Sequence, residues 1–177
     1  MSPNEVSFKQ VIKALLEDQK PFPPAYLQHF SDLTPSELLE VQSTWPKVTS
    51  ERKTNLMTDL EELADVETTV DFSDLARLLV SDPIPTIRAT AIRLLWEEQD
   101  NKLIPVFLSI MEKDVDDVVR ATAATALGQF IYMGEIEEIP PAALSRVEDA
   151  LLKKVNGADV PLVRRRALES LGFSSRH

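Results

Sequence analysis

Apolar residues recur close to helical spacing along most of the chain. Val6, Phe8, Val11, Ile12, Leu15 and Leu16 predict a helix over residues 5–17. Pro21, Pro23 and Pro24 stop it and impose an extended link. Tyr26, Leu27 and Phe30 then predict a short helix over 24–30 with those side chains inward. Thr34-Pro35-Ser36-Glu37 starts the next: Thr34 caps, Pro35 fits the first helical position and Glu37 completes a capping box. Leu38, Leu39, Val41 and Gln42 follow, and the helix ends near Trp45-Pro46. A further helix is expected over about 50–64, burying Leu56, Leu60 and Leu63.

From residue 71 the helices come in pairs. One begins at Asp71 and carries Leu75, Leu78 and Leu79, and Pro85 opens its partner with Ile87, Ala91, Leu94 and Leu95. A second pair covers about 103–112, then a helix from Asp116 with Val119, Ala123 and Leu127 inward. A third follows Pro140-Pro141 with Leu144, Val147, Leu151 and Val155, then Pro161 with Val163, Ala167 and Leu171. No alternating strand pattern of useful length interrupts them.

The pairs repeat one another. Pro85-Thr86-Ile87-Arg88 lies over Asp117-Val118-Val119-Arg120 and over Pro161-Leu162-Val163-Arg164, at offsets of 32 and then 44 residues. Ile87, Val119 and Val163 align, as do Arg88, Arg120 and Arg164, then Ala91, Ala123 and Ala167, then Leu95, Leu127 and Leu171. The preceding helices keep the same offsets through Leu75, Phe107 and Leu151, and through Leu79, Met111 and Val155. The twelve extra residues of the second offset fall in 132–141, which reads as a longer connection.

These residues resemble the HEAT repeat family, in the bacterial form called PBS-lyase HEAT-like. Its second helix commonly opens with Asp, four residues, Val or Ile, Arg, two residues and Ala. Asp82 to Ala91 follows that pattern, and Asp114 to Ala123 repeats it. The third copy has Ala158 in place of the aspartate, with Asp159 one position off. The resemblance covers residues 71–173, three repeats. Residues 34–64 read as a degenerate pair, in which only Arg52 resembles the repeat arginine, and 1–33 as a divergent helical cap. The expected fold is all-α, an α-α superhelix or HEAT-like α-solenoid of antiparallel helix pairs, forming a single domain over 1–177. In such repeats each pair buries one face internally and one against its neighbour. Asp82, Arg88, Asp114, Arg120 and Arg164 are expected to form a structural ladder between adjacent units. No polar capping unit follows the last pair, which is therefore expected to expose an apolar face. The chain is then expected to be a piece of a longer solenoid, or to self-associate through that uncapped C-terminal repeat.

Composition narrows the function. With 177 residues, 44% hydrophobic and 27% charged, the chain has the makings of a globular core. There is no cysteine, so disulfides, thiolate metal sites and cysteine nucleophiles are excluded. No apolar run approaches the roughly 20 residues of a membrane span, and no secretory leader is expected. A cytoplasmic protein is expected. The net charge is −10, divided into −14 over residues 1–152 and +4 over 153–177. Such a chain repels nucleic acid except at Lys153, Lys154 and Arg164-Arg165-Arg166, so nucleic-acid binding is at most weak and confined to that patch.

Candidate chemistry is sparse. His29 and His177 are the only histidines, and neither sits in a pattern suited to catalysis. Di-iron members of HEAT-like families need repeated His-Glu pairs, and none is present. Asp114, Asp116 and Asp117 read as a helix start, where carboxylates complement the dipole, rather than as a calcium loop. No glycine-rich phosphate loop exists. We therefore expect no catalytic residue, no metal and no cofactor. The reading is a non-catalytic protein-binding or scaffold module whose partner is a protein of unknown identity, with no membrane. The alternative implied by the same resemblance is an accessory lyase-type or protein-modification factor. Binding is expected on the second helices, at Thr86, Thr90, Arg93 and Glu97, at Thr122, Thr125 and Gln129, and at Arg165 and Glu169. Trp96, Phe130 and Phe173 lie near helix ends and are expected to pack between repeats.

Overall fold

The computed structural model describes residues 6–96 and 98–175. Among them the secondary structure is helical throughout, without a strand. Two compact units divide the chain, Met1–Leu95 and Trp96–His177.

The first unit holds α1 (Phe8–Leu16), α2 (Pro35–Thr44), α3 (Ser50–Val66), α4 (Ser73–Leu79) and α5 (Pro85–Leu94), with 3-10 turns at Pro24–Phe30 and Trp45–Lys47. The capping box expected before α2 is present: Thr34 Oγ1 accepts from the Glu37 amide, and the Thr34 amide donates to Glu37 Oε2 at 2.9 Å. The Thr34 bonds also hold the Glu37 carboxyl below its ordinary value. Phe30 is fully buried, with Phe8 and Phe22 packed on its ring at 6.2 and 6.1 Å between centroids. Helix α2 packs on α4, and α3 on α5. Leu56 and Leu60 are buried as expected, whereas Leu63 is only half-buried.

Arg52 closes this unit. Its Nη2 donates to the Glu17 carbonyl at 2.7 Å and to the Lys20 carbonyl, and its guanidinium lies 5.9 Å from the Phe22 ring centroid. The Glu17 carbonyl at the end of α1 and the Lys20 carbonyl of the following loop thus share a donor in a side chain from α3.

The second unit holds α6 (Leu103–Lys113), α7 (Asp117–Glu135), α8 (Pro141–Asn156) and α9 (Pro161–Leu171). Helices α6 and α8 form one layer, α7 and α9 the other, and α7 packs along α9. Gly128 permits this close approach: a Cβ there would meet Ser170 Oγ at 3.0 Å and Ser170 Cα at 3.3 Å. Ser170 spends its hydroxyl on the Ala124 carbonyl at 2.9 Å, so the crossing leaves no polar group without a partner.

Residues 132–141 are not simply the longer connection expected from the offset. Helix α7 continues through Glu135, because Ile131 and Met133 are buried and reward two further turns. It ends in a Schellman turn. The Glu138 amide donates to the Met133 carbonyl at 2.8 Å and the Glu137 amide to the Gly134 carbonyl at 3.1 Å. This places Glu137 at φ 63, a left-handed conformation that glycine accepts without a Cβ penalty. Glu137→Gly is therefore expected to stabilise the fold by about 0.5–1 kcal/mol. An unchanged or lower denaturant midpoint would refute this account of the turn.

Candidate functional site

The repeat arginines make the same local bond twice. Arg88 Nη1 donates to the carbonyls of Asp82 at 2.8 Å and Pro83 at 3.2 Å. Arg120 Nη1 donates to the carbonyls of Asp114 at 2.9 Å and Val115 at 3.3 Å. Each arginine sits in the first turn and a half of a second helix and reaches back over its own loop. Arg164 departs, donating through Nε to the Val155 carbonyl at 2.9 Å. Asp82 is buried and accepts from the Trp45 indole at 2.6 Å and from the Ile84 amide at 2.8 Å.

Arg120 also spans two repeats. Its Nη2 and Nε donate to the two oxygens of Asp159 at 2.8 and 3.3 Å, and both side chains are largely buried. Lys154 Nζ joins the same carboxylate at 3.0 Å and Glu112 at 3.2 Å. Arg120, with help from Lys154, holds the Asp159 carboxyl far below the usual range. Lys153 and Lys154 likewise lower Glu112. The sequence pattern put Ala158 at the carboxylate position; Asp159, one residue along, supplies the charge.

The residues proposed for binding scatter in exposure. Thr86 is exposed, but Thr90 is buried and accepts from Arg93 Nη2 at 2.8 Å. Arg93 is exposed and forms an ion pair with Glu61 on α3, which raises its already high pKa. Glu97 and His177 lie outside the described residues. On α7, Thr122, Thr125 and Gln129 are half-buried and follow one another at helical spacing. The same stripe extends beyond them, from Val118 at one end to Tyr132 and Ile136 at the other, each of these three being about half exposed. Thr122 and Thr125 donate their hydroxyls to the carbonyls of Val118 and Ala121, at 2.8 and 3.1 Å. The stripe carries no charge over about 27 Å.

Alongside it, α9 exposes Arg165 and Glu169, and Glu169 pairs with both Arg165 at 3.6 Å and Arg166 at 2.7 Å. Phe130 is buried in the core, against Phe107 of its own helix pair. Phe173 is not buried: it lies just past the end of α9 and is 56% exposed. Trp96 is 43% exposed. His29 is half-buried, edge-on to Tyr26 at 6.1 Å. Among the described residues no cluster of three potential ligands is placed to hold a metal ion, and no helix is long and apolar enough to cross a membrane.

Antiparallel helix pairs with a recurring loop-clasping arginine define an all-α repeat protein. The match to HEAT repeats extends over residues 72–172, more than half of the chain, which therefore belongs to the HEAT repeat family. No curated protein and no solved structure matches it.

Proposed function

We propose that this chain is a non-catalytic protein-binding module, scaffold-like and cytoplasmic, that receives its partner on the second helices of its repeats. The observation that carries the reading is the uncharged stripe from Val118 to Ile136 on a chain of net charge −10. A surface left to solvent in so acidic a protein gathers charge. A surface kept neutral, with threonine hydroxyls bonded to their own helix and an aromatic residue exposed, suits a partner. Of the residues expected to bind, Thr122, Thr125 and Gln129 belong to this stripe, and Arg165 and Glu169 lie on α9. Membership in the PBS-lyase HEAT-like subgroup is part of the same reading and rests on the repeated Asp-to-Ala pattern alone.

The test is capture from a nuclease-treated lysate of the source organism. The full chain is compared with a Thr122→Glu, Gln129→Glu double variant, whose substitutions are expected to cost no more than about 0.5 kcal/mol each. A protein retained by the first and lost by the second is expected. Retention that is indifferent to the variant, with helicity unchanged, would refute the stripe as the binding surface.

A further inference from the structure

We infer that the segment received by the α7–α9 surface is an acidic peptide carrying one aromatic or aliphatic anchor. This rests on the protein-binding reading above and adds the chemistry of what is bound.

Charge is the first argument. Residues 1–152 carry −14 and residues 153–177 carry +4, and α9 itself carries three arginines, Arg164, Arg165 and Arg166, against one carboxylate, Glu169. Arg165 and Arg166 share a single carboxylate, Glu169, in exposed pairs within one helix. Two guanidinium groups against one carboxylate leave a positive charge that solvent alone screens. Elsewhere in this unit Arg120 and Lys154 are held by Asp159, and Lys153 reaches Glu112 at 3.2 Å.

Apolar exposure is the second argument. Helices α7 and α9 run parallel, with Ser170 against Gly128 and the Ser175 amide on Glu135 Oε1 at 3.0 Å. That register sets Phe173 level with Tyr132. Phe173, Tyr132 and Ile136 are all about half exposed, and they gather at the C-terminal ends of the two helices. The arginines lie about 10 Å away, toward the start of α9. An extended peptide covers that distance in about three residues. Carboxylates about three residues from an anchor side chain would meet both ends at once, with the neutral stripe between them.

Other occupants fit less well. A second copy docked through the same face would set arginines against arginines. A nucleic acid offers phosphates well beyond the patch, where the net −14 of residues 1–152 opposes it.

The experiment is selection from a random peptide library displayed on phage, with the full chain immobilised. Enriched peptides are expected to carry Asp or Glu near an aromatic or aliphatic residue. Binding of a synthesised winner should weaken about tenfold in Arg165→Glu, Arg166→Glu, and about tenfold in Tyr132→Ala, Phe173→Ala, each checked for unchanged helicity. Glu169→Gln frees both arginines and should tighten binding about threefold, an effect that a merely structural role for Glu169 would not produce.

Winners without carboxylates, or winners indifferent to these variants, would overturn the inference and leave the protein-binding reading standing. A library that yields no binder would overturn both. A single-stranded oligonucleotide that binds more tightly than the winner and is lost in the arginine variant would assign the patch to nucleic acid. Concentration-dependent sedimentation abolished by that variant would assign it to a second copy.

Discussion

Replacing Trp45 with alanine is expected to destabilise the fold by about 4–5 kcal/mol, close to the whole stability of many domains. Three losses combine. The ring is 94% buried, and removing so large a side chain leaves a cavity that its neighbours fill only partly. Its indole N–H donates to Asp82 at 2.6 Å, so the substitution strips a donor from a carboxylate that is itself buried. Lys53, also buried, has its ammonium 5.3 Å from the ring centroid and loses that contact. Trp45→Phe separates the terms. It keeps an aromatic face for Lys53 and most of the buried area but removes the donor, and is expected to cost about 2 kcal/mol. Asp82 would still accept from the Ile84 amide at 2.8 Å, which limits that loss. Denaturant titration followed by far-ultraviolet circular dichroism measures both variants. Equal costs for the two would show that the hydrogen bond dominates; a phenylalanine variant as stable as wild type would show that the bond contributes nothing net. Residues 1–177 are read as one domain, so in a Trp96→Phe background the emission of Trp45 and the helical signal are expected to share one midpoint.

Trp45 also illustrates what the sequence discloses. A tryptophan before a proline reads as the end of a helix, and it is. Nothing in the spacing says that its indole will meet an aspartate 37 residues away, since that contact depends on how α2 and α4 pack. Helix starts were legible because they are local: a proline at the first position of α2, α5, α8 and α9 fixes φ and forgoes an amide that had no partner. The repeat alignment singled out Arg88 and Arg120 for a ladder between units, but not their bonds to carbonyls five and six residues back in their own loops. The other failures involve distance. Asp159 sits one residue from the repeat register, and a loop can deliver its carboxylate to Arg120 by a small backbone adjustment that no alignment of side-chain types records. Thr90 shares a spacing with Thr86 and Arg93 yet is buried, because Arg93 folds over it toward Glu61 of α3. Half of the candidate surface followed from helical periodicity, namely Thr122, Thr125 and Gln129. Tyr132 and Ile136 were hidden because the sequence offset placed them in a connection, and Phe173 because its exposure is set by the end of α9.

Asp159→Ala is expected to cost about 2–3 kcal/mol, the second of the two large effects. Breaking a fully buried pair from one side costs more, and the figure is reduced here because Arg120 and Asp159 retain 15% and 12% side-chain exposure. The loss leaves Arg120 with its Nη1 bonds to the loop but with Nε and Nη2 facing nothing, and it leaves Lys154 with Glu112 alone. Arg120→Lys should cost nearly as much, since one ammonium cannot hold the Asp114 carbonyl and both oxygens of Asp159 together. The pH dependence follows from the direction of the shift. Folding lowers the Asp159 pKa, so its contribution is complete above the unfolded value of about 3.9 and fades as the pH falls toward the folded one. Glu112, also lowered, adds in the same direction but less, being 46% exposed. The stability difference between wild type and Asp159→Asn should therefore be constant from about pH 7 to about pH 5 and narrow steadily below about pH 4. Thermal midpoints of both proteins across that range decide it. A gap that stays constant down to about pH 3, or one that widens, would mean that Asp159 does not bind its proton more weakly in the folded chain, and the bridge from Arg120 to the following repeat would lose its energetic role.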